Sequence, residues 1–142
     1  MENVEWRKYF YYKSYVEKGD IKMTHNCKIV NIDEEEVTLR IGDIYITGFA
    51  NCGINKKIGE ETMVDISLYD DLKIMQYSED KFCIERKDKT FKYTLFGILD
   101  VENAILKSVI DFKIDEEELF DYGYLDGMQV KIEVLRIDFD FQ

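Results

Sequence analysis

Side chains able to do polar chemistry are unevenly distributed in this sequence: thirty Asp and Glu, nineteen Lys and Arg, three Cys and one His. The histidine lies in Met23-Thr24-His25-Asn26-Cys27, where His25 and Cys27 share one face of any strand. Such a pair has the types for a nucleophile and base, or for two metal ligands. No Ser- or Cys-centred motif surrounds it, and the sequence supplies no third ligand, so an ordinary strand-edge histidine is expected. Cys27, Cys52 and Cys83 form no C-x-x-C pair, which rules out zinc-ribbon and thioredoxin-like spacings. They read as reduced thiols in a core.

Carboxylates are plentiful enough that a glycosidase-like pair could arise by chance, and sequence cannot measure the separation. Asp138-x-Asp140 has a calcium-like spacing, but no EF-hand loop with its central Gly and closing Glu follows it. Neither G-x-G-x-x-G nor G-x-x-x-x-G-K-[ST] occurs, so no phosphate cradle is expected. No cofactor, metal or catalytic residue is assigned.

The acids carry the remaining signal. Asp33-Glu34-Glu35-Glu36, Glu60-Glu61, Asp70-Asp71 and Glu116-Glu117-Glu118 fall near turns or element ends, and the net charge is −11 on 142 residues. Such a surface repels phosphate and lipid headgroups and attracts basic partners. Direct nucleic-acid binding and membrane association are therefore not expected. The candidate partner-binding residues are Glu34, Glu35, Glu36, Asp70 and Asp71, with Tyr45 and Tyr69 as aromatic anchors of the type interfaces favour. Tyr77, Tyr122 and Tyr124 are further aromatic candidates.

Those residues need strands and turns to position them. At this length one domain, 1–142, is expected, and such a chain buries about 68–70% of its unfolded surface. Period-2 alternation dominates from residue 27 onward. Val37, Leu39 and Ile41 share one phase, and Ile44 and Ile46 restart it after Gly42-Asp43. Val64, Ile66 and Leu68 oppose Asp65, Ser67 and Tyr69, Leu72–Met75 begins another strand, and residues 81–96 read as a hairpin. In 104–114, Leu106, Ile110, Phe112 and Ile114 face inward, with Lys107, Asp111 and Lys113 outward.

One parity fault stands out. Val130, Ile132 and Val134 occupy the phase opposite to Ile137, Phe139 and Phe141, so a bulge or sharp bend is predicted at Leu135-Arg136. Asp115 with Glu118 makes a capping box, Ile114 and Leu119 a hydrophobic staple, and Gly123 a stop, which together predict a short helix. Residues 2–18 fit either an aromatic helix or a strand. Gly59 and Gly127 each precede a Val-x-Ile-x-apolar strand, a weak internal echo.

The expected fold is α+β but mainly β: a strongly bent antiparallel sheet or small β-barrel of seven to nine strands, with one or two short helices. No apolar run approaches the ~18–20 residues of a bilayer span, and Met1–Trp6 lack a signal-peptide pattern, so a cytoplasmic location is expected. The functional expectation is a non-catalytic acidic protein that engages a basic protein partner. Its most concrete form is an immunity protein that neutralises a bacterial, nuclease-type toxin domain. An OB-like barrel binding an oligonucleotide or small ligand, and a phage-type nucleic-acid mimic, are the alternatives.

Overall fold

The computed structural model describes residues 24–50, 55–69 and 71–142. The aromatic segment 2–18, the loop at 51–53 with Cys52, and Asp70 lie outside the described residues.

Among the described residues the alternating segments form eleven strands, against the seven to nine expected. The first four are β1 (Thr24–Asp33), β2 (Glu36–Ile41), β3 (Ile44–Phe49) and β4 (Glu61–Leu68). They are followed by β5 (Lys73–Gln76), β6 (Cys83–Arg86), β7 (Tyr93–Asp100), β8 (Ile105–Lys107) and β9 (Asp111–Lys113). The last two are β10 (Gln129–Val134) and β11 (Ile137–Phe141).

Five of them close a barrel in the order β1-β2-β3-β11-β4, with β4 returning to β1. Closure depends on β1 serving two neighbours. Thr24–Lys28 pairs with β4, Lys28–Asp33 pairs with β2, and the register slips between Ile29 and Asn31. The remaining strands extend the sheet as β9-β8-β7-β10-β5, with β6 on the edge of β7. A parallel contact, Ser67 with Lys113, joins the two parts through β4 and β9. The fold is thus the mainly β small barrel that alternation implies.

Inward residues follow the predicted phases. Ile29, Val37, Leu39, Ile46, Val64, Ile66 and Ile137 are fully buried in the barrel, and Leu95, Leu99, Leu106, Phe112, Val130 and Ile132 in the extension. They belong to one contiguous apolar cluster. The parity fault at 135–136 is more than a bulge. It is the corner at which the chain leaves β10, paired with β7 and β5, and enters β11, paired with β4 and β3. Each apolar set faces the core of its own part.

Four expectations change. Asp115 caps as predicted, its carboxylate accepting from Glu117 N–H at 3.1 Å, but the helix is only a 3₁₀ turn (Glu116–Leu119). Glu118 does not reach back to the cap. Its Oε1 accepts from Leu72 N–H at 3.2 Å instead, and Gly123 opens a second 3₁₀ turn (Gly123–Leu125). Among the described residues these two turns are the helical content. Residues 104–114 also fold back as the β8–β9 hairpin, where Ser108 N–H donates to the Ile110 carbonyl. Lys107 and Asp111 are therefore buried, not outward.

No described helix is long and apolar enough to cross a membrane.

Candidate acidic groove

Pleating sends the odd-numbered residues of β4 and the even-numbered residues of β11 to the outside of the barrel. The two strands pair antiparallel, which sets Asp140 opposite Asp65 and Asp138 opposite Ser67. Across Ser67 lies Lys113 of β9, and across Asp138 lies Phe49 of β3, itself paired with Glu36 of β2. One rung of the wall therefore reads Glu36, Phe49, Asp138, Ser67, Lys113.

Over this wall the chain leaving β9 adds Asp115 and Glu116, and the β7–β8 turn adds Asn103 and Ala104. Together they bound an open groove of about 570 Å³. Five of its lining side chains are carboxylates: Asp65, Asp138, Asp140, Asp115 and Glu116. Among the described residues, Lys113 is its one lining cation. Placing Asp65 directly opposite Asp140 costs stability, because like charges on paired residues repel.

Local bonds fix part of this array. Thr24 Oγ1 donates to Asp65 at 2.6 Å, and Arg136 Nε donates to Asp138 at 2.8 Å. The Arg136 guanidinium also lies 3.8 Å from the Tyr69 ring centroid and 4.1 Å from that of Phe49. Beside the groove, an arginine thus already sits between one lining carboxylate, Asp138, and aromatic surface, an interaction type that strengthens as water is excluded. Asp140 stays exposed. Beyond the Glu116–Leu119 turn, Phe120 is 86% exposed and Tyr124 73% exposed, with Tyr124 stacked on Tyr122 at 6.5 Å.

The residues singled out from sequence are dispersed. Glu34 and Glu35 are exposed in the β1–β2 turn, where Glu34 takes φ 58°. Glu36 shares the rung of Asp138, and its carboxylate lies 3.8 Å from Arg86. Tyr45 is 58% exposed but pairs with Arg40 at the far end of β3. Tyr69 lines the acidic groove. Asp71 lines a separate cleft together with lysines. Asp70 lies outside the described residues. The groove acids belong to the polar phase of β4 and β11, which alternation reveals. The pairing of those two strands does not follow from alternation.

The titratable pair next to β1 is of another kind. Lys107 Nζ lies 2.7 and 2.8 Å from the two carboxylate oxygens of Asp111, and both residues are buried. Burial pushes the Asp111 carboxyl up and the Lys107 ammonium down, each opposed by the charge of its partner. His25 Nε2 sits 3.1 Å from the Asp111 carbonyl oxygen and so acts as a donor there. Cys27, on the same strand, faces the barrel core, so His25 and Cys27 diverge in environment: one meets β9, the other apolar side chains. Burial raises the Cys27 thiol, and a hydrogen bond with the Thr62 backbone offsets part of the rise. Among the described residues, no group of three or more His, Cys, Asp or Glu is arranged to hold a metal ion.

No curated protein and no solved structure matches the chain. A family model described as "Uncharacterised conserved protein UCP019853" matches residues 23–142, the span that carries every strand of the barrel and its extension. The chain belongs to that family.

Proposed function

We propose that the protein is a non-catalytic acidic binding protein that engages a basic protein partner, with the groove between β4, β9 and β11 as its contact surface. The observation that carries this reading is the convergence of Asp65, Asp138, Asp140, Asp115 and Glu116 on one groove lined by a single lysine among the described residues. Tyr69 and the exposed Phe120 and Tyr124 offer aromatic anchors near the acids. In its most concrete form the partner is a bacterial nuclease-type toxin domain, and the role is that of an immunity protein. Carboxylates of the groove pair with the Lys and Arg that the nuclease uses for phosphate, which occludes them. A five-stranded barrel also suits OB-like binding of an oligonucleotide, but phosphate would meet these same carboxylates.

The test is association with a basic nuclease-type toxin domain, taken from a neighbouring gene if one there encodes it, measured by surface kinetics at low and high salt. Electrostatic steering predicts fast association that slows steeply with salt. Asp140→Lys with Glu116→Lys should slow it by about tenfold or more while leaving the fold intact. No binding, or an association rate indifferent to both substitutions and to salt, overturns the reading. Saturable binding of single-stranded oligonucleotide at physiological salt would favour the OB-like alternative.

A further inference from the structure

The acid surplus is not uniform over the surface. A second cleft, of about 210 Å³, opens where β5, the β6–β7 hairpin tip and the β10–β11 corner meet. Lys73, Lys87 and Lys92 all line it, and none of the three joins an ion pair with a described residue.

The register explains their convergence. Lys73 pairs with Glu133, and Glu133 pairs on its other side with Thr94, so these three side chains share one sheet face. Lys92 precedes Thr94 by two residues and falls on the same face. Lys87 reaches the cleft from across the hairpin, held by its N–H bond to the Lys92 carbonyl at 2.8 Å. The hairpin tip is braced rather than loose. Arg86 donates to the carbonyls of Thr90 (2.7 Å) and Lys89 (3.3 Å) and to Thr47 Oγ1 of β3 (3.3 Å). Thr90 Oγ1 donates to the Lys87 carbonyl at 2.6 Å and accepts from Lys92 N–H at 3.1 Å.

Three lysines thus share the cleft with Asp71 and Glu133, and Glu133 is already 3.9 Å from Lys131. The balance is cationic within a chain of net charge −11. Three lysines against two carboxylates, one of which is already engaged by Lys131, leave the cleft net positive, and a net potential of one sign concentrates the counter-charge. Its volume lies below the ~300–1,000 Å³ typical of sites for drug-sized ligands, so the occupant is a small group.

We infer that this cleft is an oxyanion site that takes one phosphate or carboxylate group on Lys73, Lys87 and Lys92, with the Thr94 hydroxyl on its floor. The site is separate from the acidic groove and does not depend on a protein partner.

The test is a ¹H–¹⁵N NMR titration of the full chain with inorganic phosphate and, separately, with acetate, at constant ionic strength. Saturable shifts are expected at the amides of Lys73, Lys87, Lys92–Thr94 and Glu133–Leu135. The exposed pair Lys87→Gln/Lys92→Gln should weaken binding at least tenfold. The charge-matched control Lys28→Gln/Lys57→Gln should leave it within about twofold, since each ammonium–oxyanion bond lost is a charge-assisted one. Saturation by phosphate alone assigns a phosphoryl group, and saturation by both assigns a general oxyanion. Shifts that stay linear in concentration, or an equal loss in both double variants, overturn the site.

Discussion

At the scale of single residues, close approach and burial make the sharpest demands. Gly97 sits in β7 where a Cβ would land on the Lys107 carbonyl of β8, a backbone group that cannot turn aside. Gly97→Ala should therefore cost about 3 kcal/mol or more, seen as a lower urea midpoint at unchanged slope. A midpoint within error of the parent would show that β7 and β8 can separate freely. The Lys107–Asp111 pair makes a different demand, because each partner is expensive only when left alone. Lys107→Met should cost about 3–5 kcal/mol, and adding Asp111→Leu should recover most of it. Strict additivity in that double-mutant cycle would mean that the two charges are not coupled. Cys27 supplies the pH dependence. Burial raises its folded thiol above the ordinary value of 9.0, so its contribution is complete below pH 9.0 and lost as pH rises further. The stability gap between parent and Cys27→Ser should hold below pH 9.0 and narrow as pH rises above it, as read from urea midpoints, and a gap that stays constant would remove burial as the cause.

At the scale of elements, the phases of β2, β4, β10 and β11 were legible because each alternates cleanly for several residues. The burial of Lys107 and Asp111 was not legible, because the three-residue turn Ser108–Ile110 keeps the phase of both strands and folds them back, with no glycine or proline to announce it, into a hairpin buried on both faces beside the turn. The chain has no proline at all, and Glu34, Asp71, Asp88 and Ala104 adopt positive φ in turns where glycine would have been the visible signal. The capping box misled for a related reason. Its motif is local, whereas Glu118 has a better use on Leu72, far away in sequence. The corner at Leu135-Arg136 makes the strongest element-level prediction. Deleting Leu135 would flip β11 by one position, turning Asp138 and Asp140 inward and Ile137 and Phe139 outward. That variant should fail to fold cooperatively, with loss of near-UV circular dichroism. A native-like spectrum would mean that β11 tolerates either register.

At the scale of the whole molecule, the sequence-derived acidity separates into two surfaces of opposite character. The groove acids come from strands far apart in the chain, Asp65 from β4 and Asp138 and Asp140 from β11. Their meeting is a property of topology, which no window of sequence contains. The lysine cleft is equally non-local, drawing on β5, the hairpin tip and the β10–β11 corner. Turn clusters such as Glu34–Glu36 were conspicuous in sequence because their members are contiguous, and contiguity is a poor guide to convergence.

The placement of β11 between β3 and β4 has a consequence for biosynthesis. The first four barrel strands emerge from the ribosome with a gap that only the eleventh can fill. Until residues 137–141 clear the exit tunnel, the facing edges of β3 and β4 remain unpaired and the inner faces of Ile46, Val64 and Ile66 lack their cover from Ile137 and Phe139. Long-range closure of this kind is slow and exposes adhesive edges. On stalled nascent chains, protease protection of residues 24–68 should appear abruptly once β11 is free, and protection that builds gradually with each earlier strand would contradict a late-closing seam.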